Sequence, residues 1–284
     1  MLTSTVTLNH EINSHWNFNT VAFFQDYTKD FYGTERIQWN LQSNGEYVWK
    51  RTLNKQLQKQ KYGSLQFNLN GHFKTGKYSH KLLLGADADF LQADTYSYQL
   101  QKQNGKFADA GNNFEYGTDG DTNNGNVLLS DKNTWKSGDM LNSRKKDLNR
   151  IPTRRIGFYA QDLISITDKF KVLAGLRWSY LENKSTIVEN YLTNTKTYKE
   201  SAGSPKESAF SPRIGLVYQI NDSFSTFASY SNSFNPNTGR DINNLPLPSS
   251  IIDQYEIGLK KNVWKNTLAI NITAYQIDNN NLAQ

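Results

Sequence analysis

Apolar and polar residues alternate one for one along most of this sequence, and hardly any stretch repeats at the helical period. From Phe170 to Tyr180 the even positions (Phe170, Val172, Ala174, Leu176, Trp178, Tyr180) are apolar or aromatic, against mostly polar or glycine residues at the odd ones. Leu82, Leu84, Ala86, Ala88 and Phe90 oppose Gly85, Asp87 and Asp89 in the same way, as do Leu268, Ile270, Ile272 and Ala274 with Asn271 and Thr273. Successive side chains of a strand point to opposite faces, so each segment predicts a strand with one greasy face and one polar or glycine face.

The connections sort by length. Short turns carry turn chemistry at Asn9–Asn13, Thr75-Gly76-Lys77, Thr167-Asp168-Lys169, Asn221-Asp222-Ser223 and Lys261–Asn266. Long ones fall at about 99–152, 183–206 and 235–249, with a hairpin tip near 41–46, and short and long alternate along the chain. Ten strands follow, at about 1–9, 14–40, 46–74, 78–98, 153–167, 169–182, 207–220, 223–234, 250–261 and 265–278. The second and third exceed what a bilayer crossing requires.

A soluble sandwich also alternates, but it has no reason to sort its loops by length. A transmembrane β-barrel does both, and sets aromatic girdles at its two interfaces. Every short turn here has an aromatic residue close by: Trp16, Phe73 with Tyr78, Phe170, Phe224 and Trp264. The composition fits a wet-lumened wall, which needs only half its strand positions apolar. Hydrophobic residues make up 37% of the 284 residues while aromatics reach 13%, too many for a disordered chain. No apolar run is long enough for a membrane-spanning helix. The reading is therefore all-β, an antiparallel up-and-down transmembrane barrel wall.

Other chemistries find little support. Cysteine is absent, which removes disulfides, thiolate metal sites and cysteine nucleophiles. His10, His15, His72 and His80 have no metal-binding spacing, although His72 and His80 flank one turn. The net charge of +6 is scattered, with Arg144-Lys145-Lys146 the sole cluster, so no nucleic-acid partner is expected. The start, MLTSTVTLNH, has no leader pattern, which reads as a cytoplasmic chain or one whose true N-terminus lies elsewhere; the barrel reading favours the second. A protease-like enzyme would need a histidine near Asp87 and Asp89, and His80 lies toward the opposite end of its strand. No enzyme is expected.

Several stretches, in order, resemble the barrel of TonB-dependent outer-membrane receptors, in particular the ferric-siderophore group. They are His80–Asp87, Arg155-Ile156-Gly157-Phe158-Tyr159-Ala160-Gln161-Asp162, Lys171–Trp178, Phe210-Ser211-Pro212-Arg213-Ile214-Gly215-Leu216-Val217-Tyr218, Ser225–Pro236, Gln254-Tyr255-Glu256-Ile257-Gly258-Leu259-Lys260 and the Ala274–Ile277 strand. The match is clear over about 60–284 and rests on pattern over 1–59. It implies a monomeric 22-stranded barrel with an N-terminal plug and a TonB-contacting box. Neither plug nor closing strands are visible, and the chain stops at Asn279-Asn280-Asn281-Leu282-Ala283-Gln284, so residues 1–284 are expected to be a partial barrel domain, with a long extracellular loop at about 99–152. A ten-stranded porin or protease-like barrel is the alternative.

The resemblance further implies a Gram-negative outer-membrane location, a ferric siderophore ligand and, through the plug, the TonB complex as partner. Iron arrives wrapped in siderophore oxygens, so no protein cofactor is expected. Flat aromatic surfaces at strand tops and in the long loop are the ligand candidates: Trp39, Tyr47, Trp49, Tyr96, Tyr98 and Trp135, with Phe114 and Tyr116. Parity places Asp87, Arg177, Arg213 and Glu256 on the lumen face toward the plug, with Arg213 and Glu256 able to pair across strands and Arg177 able to meet a plug carboxylate. Gly157, Gly175, Gly215 and Gly258 share that face, where a missing side chain would admit the plug or its waters.

Overall fold

The computed structural model describes the chain except residues 36–38, 50–51, 112–126, 135–139, 201–204, 265–266 and 283–284. The described residues form sixteen strands: β1 (Leu2–Asn13), β2 (Trp16–Glu35), β3 (Trp39–Leu41), β4 (Tyr47–Trp49), β5 (Thr52–Thr75), β6 (Tyr78–Gln101), β7 (Phe107–Asp109), β8 (Val127–Leu128), β9 (Ser143–Ser165), β10 (Phe170–Asn183), β11 (Thr186–Asn190), β12 (Thr195–Lys199), β13 (Lys206–Asn221), β14 (Phe224–Asn235), β15 (Ser250–Val263) and β16 (Leu268–Asn280). Ten of them form one antiparallel path, β1-β2-β5-β6-β9-β10-β13-β14-β15-β16, in which every strand pairs with its sequence neighbour along the wall. These are the ten alternating segments of the sequence. Among the described residues no helix is long and apolar enough to cross a membrane.

The register fixes which residues share a face. Phe18 lies opposite Leu69, Leu69 opposite Leu84, Leu84 opposite Ala160, and Ala160 opposite Leu176. This face is apolar and solvent-exposed: Phe158 is 54% exposed, Ile214 52% and Ile257 61%. Leaving so much contiguous apolar surface uncovered is unfavourable in water and appropriate against hydrocarbon. Among the described residues only a handful of apolar side chains are buried: Leu53, Leu100, Leu148 and others toward the tall end of the wall, with Val48 and Val127 in a separate small sheet.

Short turns close one end. Asn13 caps the β1–β2 turn by accepting from the His15 and Trp16 amides at 2.9 and 3.1 Å, and Thr167 Oγ1 accepts from the Phe170 amide at 3.0 Å. Near this end Trp16 stacks on Phe73, which stacks on His80 with centroids 4.9 Å apart. Trp264 is 76% exposed, as an interfacial anchor should be.

The tall end departs from the sequence expectation in three places. The third strand does not begin at 46: β3 and β4 form a separate three-stranded sheet with β8, in which Trp49 lies opposite Val127. The 99–152 loop is shorter than expected, because β6 runs to Gln101 and β9 already begins at Ser143. Residues 143–152 carry a proline and no apolar alternation: Leu148 is buried while Arg144 and Lys145 near it are exposed. Ion pairs hold the extension instead: Arg150 grips Asp94 at 2.8–2.9 Å, and Lys146 meets Asp109 at 2.5 Å. Finally, the 183–206 loop contains the β11–β12 hairpin, which continues the wall above β10 by pairing Ile187–Asn190 with Asp147–Arg150.

Candidate functional site

The lumen face is polar and internally bonded. One rung across the wall carries Asn9, Asn19, Asn68, Gly85, Tyr159 and Arg177. Asn19 Nδ2 donates to Asn9 Oδ1 at 2.5 Å, and Asn68 Nδ2 to Asn19 Oδ1 at 3.4 Å. Tyr159 Oη donates to Asn68 Oδ1 at 2.6 Å and accepts from Gln66 Nε2 at 2.9 Å. Arg177 then clamps Asp87 with both terminal nitrogens, at 2.6 and 2.9 Å, and gives Nε to Ser179 Oγ at 2.8 Å.

Two of these side chains skip a strand. Tyr159 on β9 reaches β5 by crossing β6, and Arg177 on β10 reaches β6 by crossing β9. Each crosses over a glycine. A Cβ on Gly85 would lie 2.1 Å from Tyr159 Cε2, and one on Gly157 would lie 2.0 Å from Arg177 Nη2. Gly157 therefore makes room for an arginine of the wall rather than for a plug, and Gly258 is likewise covered by the Phe227 ring. Arg177, expected to meet a plug carboxylate, has its three donor positions engaged within the wall. The expected Arg213–Glu256 pair does not form: Arg213 lies opposite Ser231, one strand short of β15, while Glu256 accepts from Gln254 Nε2 at 2.6 Å and Ser229 Oγ at 3.4 Å.

Above this rung Arg155 Nε donates to Asp89 Oδ1 at 2.9 Å, leaving most of the guanidinium open to the lumen. A cavity of about 540 Å³ extends upward from this pair, between Leu181 on the wall and Phe234, Pro236 and Thr238 of the loop after β14. That loop is pinned in place. Asn237, 8% exposed, donates to the carbonyls of Pro248 and Asn281 at 2.6 Å each, and Arg240 bonds Glu200 and the Asn244 carbonyl. Sequence reasoning gave this loop no role. The only signal was Asn235-Pro236, which ends the strand.

The aromatic candidates divide. Trp39 and Trp49 are partners across the β3–β4 hairpin, with centroids 6.1 Å apart, and Tyr47 beside them is 45% exposed while its carbonyl accepts from Leu129. These three share one small sheet with the long loop. Tyr96 and Tyr98 do not join them. Their register puts both on the outer side of the wall, with Ala88 and Phe90, and there Tyr96 stacks on Tyr191 while Tyr98 lies under Lys55 Nζ. Burial, and then Asp30, pushes the Tyr98 phenol above its ordinary pKa. Trp135, Phe114 and Tyr116 lie outside the described residues.

Comparison with known proteins places this architecture. The family model described as TonB dependent receptor-like, beta-barrel matches residues 2–284. The ferric-pyoverdine 358 receptor of Pseudomonas putida is 24% identical over 284 residues, which cover 99% of this chain and 31% of that protein. Among solved structures, the siderophore receptor PiuA from Acinetobacter baumannii superposes with a TM-score of 0.73 at 20% identity, over 96% of this chain and 39% of that one. P. aeruginosa FpvA bound to heterologous pyoverdines gives 0.70 at 21% identity, over 98% and 32%. The chain thus spans about a third of the length of the curated relative it matches. With the ten-strand wall, its apolar outer face and its bonded polar lumen, the match over nearly the whole sequence means that the chain belongs to the TonB-dependent receptor β-barrel family, receptors and not enzymes, located in the outer membrane of Gram-negative bacteria.

Proposed function

We propose that this chain is a segment of the barrel of a receptor that imports a ferric siderophore, driven by the TonB complex acting on a plug held in the lumen. The observation that carries the reading is the lumen itself: a polar belt bonded across six strands, topped by a cavity between Arg155, Leu181, Phe234 and Pro236. In the belt Asp87 and Arg177 satisfy one another, leaving mainly amides and a hydroxyl there to receive a plug. Asp87 and Arg177 fix the wall; Arg213 and Glu256, which do not pair with each other, each face the plug.

The ligand enters from the tall end. Trp39, Tyr47 and Trp49 offer flat surfaces on a sheet shared with the 102–142 loop, and Trp135 belongs to the same loop. Iron needs no protein ligand because the chelate's oxygens already satisfy it; the receptor needs aromatic faces and hydrogen bonds. Relatives described as ferric-pyoverdine, ferric-preacinetobactin and siderophore receptors support this ligand class.

The test is uptake of radio-iron by cells grown under iron starvation, with the gene intact, deleted and restored, against a panel of purified ferric siderophores. One siderophore should lose uptake on deletion and regain it on complementation, and a proton uncoupler should abolish it. Uptake unchanged for every siderophore, or uptake insensitive to the uncoupler, would overturn the reading.

A further inference from the structure

Strand β5 carries a column of uncharged hydrogen-bonding side chains down the height of the lumen. Every second residue from Gln56 to Asn70 bears an amide or a hydroxyl: Gln56, Gln58 and Gln60 above, Gln66, Asn68 and Asn70 below, with Tyr62 and Ser64 between. The register sets them all on the lumen side. Gln56 lies opposite Ser97, Gln66 opposite Asp87 and Asn70 opposite Leu83, in phase with Asn68 opposite Gly85. At about 3.3 Å per residue the column runs about 46 Å along the strand, roughly 35 Å of height at a barrel strand's tilt, against about 30 Å for a hydrocarbon core.

The strands beside the column add little charge. On the lumen face of β2 the one charged side chain among the described residues is Lys29, opposite Gln58 and drawn over the Phe31 ring. On β6, Asp89 and Asp87 are engaged from the far side by Arg155 and Arg177. The arc from β10 to β15 differs, because Lys171, Arg213, Glu256 and Lys260 face the lumen there. A plug in such a lumen is held by charge-assisted bonds on one arc and by neutral ones on the other, and the neutral arc is the weaker contact.

The hollows of the wall follow the same line. The upper cavity has Asp87 and Arg177 in its wall, and a second cavity of about 510 Å³ shares that pair and is lined below it by Asn19, Gln66, Asn68 and Asn70. An oxygen-rich chelate needs hydrogen-bond donors. Each carboxamide supplies both donors and acceptors, without a charge that would trap the traveller. Successive groups on one face stand about 6.7 Å apart, close enough for hand-over, and passage needs sites that bind yet release.

Resting on the receptor reading, we propose that the β5 amide column is the track along which the ferric chelate leaves the upper cavity for the periplasm. The plug parts from this arc of the wall, while the charged β10–β15 arc keeps hold of it.

The test uses the full receptor in iron-starved cells, with a single introduced cysteine: Gln66→Cys or Asn70→Cys on the column, or Ser231→Cys on the opposite arc. A bulky neutral maleimide is added during uptake of the ferric siderophore that wild type imports, with and without an uncoupler. The column cysteines should react faster in energised cells, and their adducts should block uptake with siderophore binding unchanged. The Ser231→Cys adduct should leave both unchanged. Gln60→Leu/Gln66→Leu/Asn70→Leu should slow uptake at least about fivefold, the scale of one lost hydrogen bond, and Gln60→Asn/Gln66→Asn/Asn70→Gln should restore it. Equal block from both arcs, reaction rates indifferent to the uncoupler, or full uptake by the leucine variant would overturn the track. Loss of binding along with uptake would make the column part of the ligand pocket and overturn it too. So would entry of a large antibiotic that the outer membrane excludes, which would mark the column as a plug seat. A wild type that imports no siderophore refutes the receptor reading, whereas normal binding and uptake in every modified variant refutes the track alone.

Discussion

Replacing Gly85 with alanine inserts one methyl group where the Tyr159 ring lies, 2.1 Å from Cε2 and 2.2 Å from Cζ. No small adjustment relieves such an overlap, so the ring must leave the β6 surface. Leaving breaks the bonds to Asn68 and Gln66, each of about 1 kcal/mol. It also uncovers apolar surface where the ring shielded the strand, about another 1 kcal/mol at 25 cal/mol per Å². Against this, alanine lowers the entropy of the unfolded chain, a gain of about 0.5 kcal/mol. The net expectation is a loss of about 2.5 kcal/mol. The assay is equilibrium urea unfolding of the full receptor in lipid vesicles, for Gly85→Ala, Tyr159→Ala and both together. Without the ring the methyl meets nothing, so Gly85→Ala should become neutral or slightly stabilising in the Tyr159→Ala background, a coupling of about 3 kcal/mol. A coupling below about 0.5 kcal/mol would show that the strand-skipping ring does not hold the wall, whatever the single variant costs.

Arg177→Gln should destabilise by about 1 kcal/mol, a modest loss because the arginine side chain is 38% exposed; Asp87→Asn in that background should recover part of it in the same unfolding assay. His80 and Asp162 pair at 2.7 Å on the bilayer side, where His80 Nε2 and Asp162 Oδ1 are buried without partners. Asp162→Leu alone should destabilise, while His80→Phe/Asp162→Leu should be neutral or stabilising, and a double variant worse than either single would contradict this. The Lys146 hydrogen bond holds the Asp109 carboxyl below its ordinary range, and Asp109 in turn raises Lys146. The tie that docks β7 onto the wall is therefore complete above the ordinary carboxylate pKa and lost as pH falls through the lowered one; on the alkaline side it is complete below the ordinary lysine pKa and lost as pH rises through the raised one. Amide exchange of Phe107–Asp109, corrected for intrinsic rate, should accelerate at both extremes, and a flat profile would refute it.

How much was legible depends on height above the membrane. Between Leu82 and Phe90 one face must be apolar and the other wet, so period two is forced and the ten wall strands could be read directly. Above Phe90 the strand tops pack against loop residues and one another's charged side chains, and that constraint lapses. Residues 143–152 then look like loop while forming β9, and β11–β12 hides inside a polar stretch. Tyr96 and Tyr98 read as ligand aromatics because aromatic character says nothing about which face a strand top presents; only the unbroken pairing of β5 with β6 shows it. The lumen positions of Asp87, Arg177, Arg213 and Glu256 followed from parity, but their partners did not. Arg177 finds Asp87 only because Gly157 lies between them, a three-strand coincidence that alternation along one strand cannot reveal.

The account rests on β6 presenting alternate residues to lipid and to the lumen. The chain has no cysteine, so single nitroxide labels can be placed at each position from Leu82 to Phe90 in the full receptor reconstituted in vesicles. Power-saturation EPR should then show oxygen accessibility rising at Leu82, Leu84, Ala86, Ala88 and Phe90 and falling at Leu83, Gly85, Asp87 and Asp89. A profile with no period of two, or with the high values at Asp87 and Asp89, would contradict the barrel-wall assignment.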